Sequence, residues 1–152
     1  MSRFTSSPDS RPATGPRGFD ADLTWLQRFA GPLVLVARLM LSYIFIVEGA
    51  GKIAHYADVA GYMAANGVDG RLLPLVIITE LGGGLLVLAG LMTRWAAIAL
   101  GGFCLLTALF FHYSADQTVM LQKNIAMAGG FLTLATFGPG PWSLDGWRGR
   151  AA

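Results

Sequence analysis

Charged residues sit inside stretches that must otherwise live in lipid, and this combination limits what the chain can become. Four apolar runs, 32–53, 72–91, 95–111 and 119–137, have close to the roughly 17–25 residues a bilayer core requires. The second run, LLPLVIITELGGGLLVLAGL, carries Glu80 near its middle. A carboxylate at that depth costs about 2.5–3.5 kcal/mol on insertion scales, so it faces protein or water and has a partner. The twelve Leu, Ile and Val of the run return roughly 0.3–0.6 kcal/mol each, and the segment still inserts. The expected fold is all-α: an integral membrane four-helix bundle with both termini cytoplasmic.

Composition agrees and narrows the reading. With 152 residues, 54% hydrophobic and 13% charged, and a mean hydropathy of +0.54, there is room for one membrane unit and no separate soluble catalytic module. One cysteine, Cys104, excludes an internal disulfide or a dithiol shuttle within one copy. It lies in an apolar run and reads as a buried, inert thiol. Nothing marks a nucleic-acid partner; the bilayer is the expected one.

Three segments follow. Residues 1–30 read as a disordered cytoplasmic tail rich in Ser, Pro, Arg and Gly, ending in a short interfacial approach that carries Trp25 and Phe29. Residues 31–142 hold the spans, and 143–152 form a cytoplasmic C-terminal tail. Arg3, Arg11, Arg17, Arg28, Arg94, Arg148 and Arg150 fall on one side and Arg71, Lys52 and Lys123 on the other, which places both ends inside the cell. Trp95, Trp142 and Trp147 share the inner side as an interfacial belt. The closing GPGPWSLDG cannot continue a helix and is expected along the surface.

In the external connection 54–71, Tyr56, Val59, Ala60 and Met63 repeat at helical spacing, with turns at Asn66-Gly67 and Asp69-Gly70. This is the pattern of an amphipathic lid, or equally of an ordinary interfacial loop. At 100° per residue, Glu48, Lys52 and His55 lie within about 60° of each other, and Glu48 and Lys52 have the i, i+4 order favoured for an ion pair. Ala97, Gly101, Cys104 and Ala108 make a small-residue face that ends in His112, and Lys123 and Asn124 open the last span. By helix rise, Arg38 stands about 9 Å and Glu80 about 16 Å above the cytoplasmic end, so an Arg38–Glu80 bridge is expected. Glycines beside these groups, among them Gly49, Gly51 and Gly82 to Gly84, permit close helix approach. A bland reading stands beside the functional one: such pairs also serve simply to fix helix register.

Arg38, then Glu48-Gly-Ala-Gly-Lys52, Glu80 before its glycines, Gly90-Leu-Met-Thr-Arg94, His112, Lys123-Asn124 and Gly138-Pro-Gly140 together resemble the DoxX family over about residues 32–145. The resemblance implies a four-helix protein of the cell inner membrane, multi-pass, often assigned to oxidoreductase assemblies; some relatives are linked to quinone-dependent or terminal-oxidase complexes. Its polar positions correspond to Arg38, Lys52, Glu80, His112, Lys123 and Asn124. The long Arg/Ser/Pro tail departs from the pattern.

The residues themselves favour some redox roles over others. His55 and His112 lie at the outer edge, where imidazoles more often handle protons than ligate haem, and no metal site is expected. No dinucleotide-binding fingerprint with strand–helix context is present. A quinone headgroup fits better, since it needs donors, a carboxylate or imidazole and an apolar slot for its tail. The candidate ligand pocket is therefore Arg38, Glu48, Lys52, Glu80, His112, Lys123 and Asn124. The expected function is a membrane subunit supporting electron transfer by binding a quinone or docking a redox-enzyme partner. The alternatives are a permeation or transport protein for a small solute or proton, or a non-catalytic assembly subunit; under any of these readings a homo-oligomer stays open.

Overall fold

The computed structural model describes residues 24–112 and 115–151. Most of the N-terminal tail expected over 1–30 lies outside the described residues. What is described is helical. Helix α1 is Thr24–Ala54, α2 is Tyr56–Ala65, and α3 runs through Leu73–Ile77, a π-helical stretch Ile78–Gly82, and Gly83–Ala89. Helix α4 is Thr93–Phe111, α5 is Thr118–Phe137 and α6 is Leu144–Ala151. The long helices α1, α3, α4 and α5 pack in chain order as an antiparallel bundle, an all-α membrane architecture. Three segments, Arg28–Ala54, Gly70–Ala89 and Thr93–Phe111, are long and apolar enough to cross a membrane. Helix α5 has the length, at 20 residues, but Gln122, Lys123 and Asn124 dilute its apolar character near one end.

Large apolar side chains point outward along the bundle. Met40, Ile78, Leu109, Phe110 and Val119 are all exposed, as lipid contact demands and water would penalise. The interior is built from small residues and a few aromatics. The expected face of α4 is borne out: Ala97, Gly101, Cys104 and Ala108 are all buried, and a Cβ on Gly101 would stand 3.3 Å from Phe131 Cβ of α5. Phe45 of α1 meets Phe131 edge-on at 5.3 Å and Phe103 at 6.5 Å, joining three helices.

Two expectations about segment ends change. The interfacial approach and the first span are one helix, with Pro32 inside it. Pro32 is the ninth residue of the helix, so its missing N–H removes the ladder bond to Arg28, and the helix continues through it. The closing GPGPWSLDG does break α5, at Gly138 (φ 84°), yet its last residues start α6. That segment folds back: Asp145 N–H donates to Gly90 O at 2.9 Å. Gly90, at φ 69°, ends α3 with paired bonds from its own N–H to Val87 O and from Leu91 N–H to Leu86 O, a left-handed C-terminal closure that glycine adopts without strain.

The connection after α1 forms the amphipathic helix that its pattern implies. Met63 is buried, Val59 and Ala60 are half-buried, and Tyr62 stacks on Phe111 of α4 at 5.7 Å. Helix α2 thus lies across the end of the bundle opposite the α3–α4 turn.

Candidate functional site

The register of α1 against α3 decides which charges meet. A Cβ on Gly49 would stand 2.9 Å from Leu81 N, and one on Gly84 would stand 3.0 Å from Ile46 Cγ1. These approaches bring Glu80 level with the Glu48–Lys52 turn. Lys52 Nζ lies 2.8 Å from Glu80 Oε2 and 3.1 Å from Oε1, and 3.6 Å from Glu48 Oε2. One ammonium serves two carboxylates, of which Glu80 is buried and Glu48 exposed. The π-helical stretch, a wider turn that is frequent at functional sites, carries Glu80 at its centre.

The expected Arg38–Glu80 bridge does not form. Arg38 is 2% exposed and spends its donors on backbone carbonyls: Nε on Val87 O at 2.9 Å, Nη2 on Leu88 O at 2.7 Å, and Nη1 on Pro139 O at 3.0 Å and Trp142 O at 2.8 Å. Val87 and Leu88 lie seven and eight residues past Glu80, about 10–12 Å along the helix. Arg38 therefore meets the end of α3, whose last carbonyls lack helical partners, and ties it to the loop after α5. It is a structural clamp and lines neither cavity described below.

Other groups at that end have similar duties. Asp145 accepts from Met92 N–H, Thr93 N–H and Thr93 Oγ1 at 3.0, 3.0 and 3.2 Å, so α6 supplies the N-terminal cap that α4 lacks in its own sequence. Burial works against the Asp145 charge, but these three bonds and the Arg148 charge outweigh it and hold the carboxyl below its ordinary value. Arg94 donates to Ala135 O and Thr136 O at 3.1 and 2.9 Å, closing the carbonyl end of α5. Sequence reasoning missed Asp145; its signal, an Asp opening a short helix after a Gly/Pro stretch, pointed to no partner.

The remaining six candidates converge. Two cavities meet at the end nearer α2. The larger, about 1190 Å³, lies between α1, α2, α3 and α4. The smaller, about 300 Å³, lies between α1, α3, α4 and α5. Glu48, Lys52, Glu80 and His112 line both, so they form the wall between them, while Lys123 and Asn124 line the smaller alone. His112 closes α4, and its Nδ1 is buried without a hydrogen-bond partner. Glu80 Oε2 has the Lys52 charge beside it but no hydrogen bond. Asn124 is buried and donates to Met120 O at 2.9 Å. Elsewhere the walls of the larger cavity are apolar, among them Val47, Leu75, Ile98, Phe103 and Leu106. The arrangement offers an ammonium, carboxylates and an imidazole at one end of an apolar slot. Among the described residues no group of three or more His, Cys, Asp or Glu is gathered to hold a metal ion.

The family model described as DoxX matches residues 33–113, which run from early α1 past His112 and include the whole wall between the cavities. The chain belongs to the DoxX family. Two relatives in Escherichia coli (strain K12) are similar to this DoxX protein. "Inner membrane protein YqjF" is 50% identical over 115 residues, covering 74% of this chain and 88% of that protein. "Inner membrane protein YphA" is 33% identical over 123 residues, with the same two coverages, 74% and 88%. No solved structure matches. Together with its apolar helices, these relatives make this DoxX chain a multi-pass protein of the inner membrane.

Proposed function

We propose that this protein is a membrane subunit that supports electron transfer by holding the headgroup of a quinone at the wall between its two cavities. The observation that carries the reading is the junction itself: Glu48, Lys52, Glu80 and His112 gathered at one end of an apolar cavity of about 1190 Å³. Ligand sites commonly measure about 300–1,000 Å³ and are apolar with a few convergent polar groups. The space admits a ring and part of a tail. A quinone oxygen accepts a hydrogen bond from the Lys52 ammonium or from a His112 N–H. A hydroquinone hydroxyl donates to Glu80 or to the imidazole. When bound, the quinone supplies the two-electron chemistry, and a redox partner subunit supplies or removes the electrons.

His112→Ala is the clean test. The imidazole has an unpartnered buried nitrogen, so truncating it removes a ligand group without breaking a bond at that atom. Affinity for decylubiquinone in mild detergent is expected to fall about tenfold, the worth of one good hydrogen bond, with an unchanged melting temperature. Unchanged affinity with a large loss of stability would instead favour the assembly-subunit reading. The permeation reading requires a route onward to the far end, where Arg38 is packed among four carbonyls. Solute flux in sealed vesicles would revive it.

A further inference from the structure

Glycines in membrane helices usually serve helix contact, because a missing side chain lets two backbones approach. Gly49, Gly83, Gly84 and Gly101 fit that account, each with a neighbouring helix within 3.3 Å of where a Cβ would stand. Gly51 and Gly102 do not. Nothing lies within 4 Å of a Cβ on either one, and both line the larger cavity, Gly51 on α1 beside Lys52 and Gly102 on α4. A helix-interior glycine costs roughly 0.5–1 kcal/mol relative to alanine, and no packing contact within the chain offsets that cost at these two positions. What they leave is room.

The mouth of the same cavity shows where an occupant enters. Leu72 just before α3, Leu75 of α3, and Ile98, Leu106 and Phe110 of α4 line it and are 48–61% exposed. In a spanning bundle these exposed apolar side chains face acyl chains. Helices α3 and α4 are held together near Gly83, where a Cβ would stand 3.0 Å from Leu100, and the cavity occupies the space between them toward α2. Across the end, the Tyr62–Phe111 stack at 5.7 Å joins the α2 lid to α4, and both rings line the cavity. At its inner end stands Glu80, 5% exposed and held by Lys52 Nζ at 2.8 and 3.1 Å.

We infer that the ligand is a membrane-resident amphiphile, a flat polar head on a long apolar tail, which enters sideways from the bilayer between α3 and α4, and that Gly51 and Gly102 are the specificity-determining positions that admit it. This rests on the quinone reading for the identity of the head, but not for the route or the tail. The head reaches the Lys52–Glu80 pair along the backbone at Gly51. The tail lies against Gly102 in the apolar cleft. A water-soluble ligand has no use for that cleft.

The test compares the wild type with Gly102→Ala, Gly102→Leu, Gly102→Phe and the control Gly129→Phe, whose Cβ also meets nothing within 4 Å but which lines neither cavity. Decylubiquinone affinity, affinity for the tail-less ring ubiquinone-0, and melting temperature are measured in one detergent. Native mass spectrometry counts retained phospholipid. Gly102→Phe is expected to weaken decylubiquinone about tenfold or more, with Gly102→Leu between, Gly102→Ala near the wild type, Gly129→Phe silent, and no variant losing melting temperature. The wild type should prefer the tailed quinone by a similar factor. Equal affinity for the two quinones, or an unaltered Gly102→Phe, overturns the inference. If Gly102→Phe unfolds, the graded Gly102→Leu decides by the same criterion. If the wild type binds neither quinone, the headgroup reading fails by itself. Phospholipid retained by the wild type and lost in Gly102→Leu and Gly102→Phe then upholds the sideways site, and equal retention overturns it.

Discussion

Lys52 reaches from α1 to grip Glu80 on α3, its Nζ 2.8 Å from one carboxylate oxygen and 3.1 Å from the other. The pair sits where two cavities meet, and Glu48 shares the same ammonium from 3.6 Å. A buried charge pair is weak evidence for stability in itself, because desolvation offsets attraction. Its position in the wall of two cavities is what makes it a candidate for binding.

The pair is expected to be mutually dependent. Breaking a buried pair by removing one partner typically costs about 3–5 kcal/mol, since the other charge is left alone. Lys52→Met is expected to cost more than Glu80→Gln, because Glu48 stays available to Lys52 whereas Glu80 pairs with no second cation among the described residues. Lys52→Met therefore strands Glu80, while Glu80→Gln leaves Lys52 a partner, and the lysine variant should prove the more destabilising. The double variant should recover part of the loss in a thermal-unfolding cycle. Additive losses would show that the two side chains act separately. Arg38 and Glu80, by contrast, are expected to be additive.

Arg38 should be irreplaceable by lysine. Four carbonyls on two segments are met by one planar guanidinium, a geometry that a compact ammonium with three donors cannot reproduce. Arg38→Lys keeps the charge and is expected to lower the melting temperature clearly, and Arg38→Met to cost at least about 3 kcal/mol, given roughly 1.5–3 kcal/mol for a hydrogen bond to a charged group. Quinone affinity per folded molecule should be unchanged in Arg38→Lys. A loss of affinity with intact stability would return Arg38 to the site.

These contrasts show what the sequence could and could not convey. Hydropathy located the long helices, and 3.6-residue periodicity found both the α2 lid and the buried Ala97–Gly101–Cys104–Ala108 face, because side-chain polarity records which face is covered. Helix rise placed Glu48, Lys52, His112 and Asn124 at one depth, and the smaller cavity gathers them. It failed for the partner of Arg38. Depth alone allowed Glu80, but relative register was decided by the Gly49–Leu81 approach, which no residue count contains. The acceptors Arg38 uses are backbone carbonyls, and every residue has one, so nothing in the letters at Val87, Leu88, Pro139 or Trp142 singled them out. Asp145 was hidden for a related reason: it caps a helix more than fifty residues earlier in the chain.

Asp145 makes the bundle's terminal end sensitive to acid. Its folded-state carboxyl lies below the ordinary 3.8, as burial is outweighed by the bonds from Thr93 and Met92. A depressed carboxylate contributes stability that is fully present above the unfolded value and is lost as pH falls through the folded one. Asp145→Ala should therefore cost about 0.5–2 kcal/mol, the range for an N-terminal cap, at pH 7. The difference from the wild type should shrink in melting curves taken below about pH 4, near the unperturbed carboxylate value. A gap that stays constant through that range would mean the carboxylate charge has no part in the cap.

Orientation follows from where the arginines lie. Arg28, Arg94 and Arg148 stand at the end of the bundle that also carries the exposed Trp95, Trp142 and Trp147, whereas α2 and Arg71 mark the opposite end. Cationic residues near short membrane connections are retained in the cytoplasm, and indole rings prefer the interface. We expect the terminal end inside and α2 outside. Cysteines placed at Asn66 and at Gly149, both exposed, with Cys104 first replaced, report this directly. In intact spheroplasts a membrane-impermeant maleimide should label Asn66→Cys and spare Gly149→Cys until the membrane is opened. The reverse pattern would invert the bundle and move the mouth of the cleft, with its α2 lid, to the cytoplasmic leaflet.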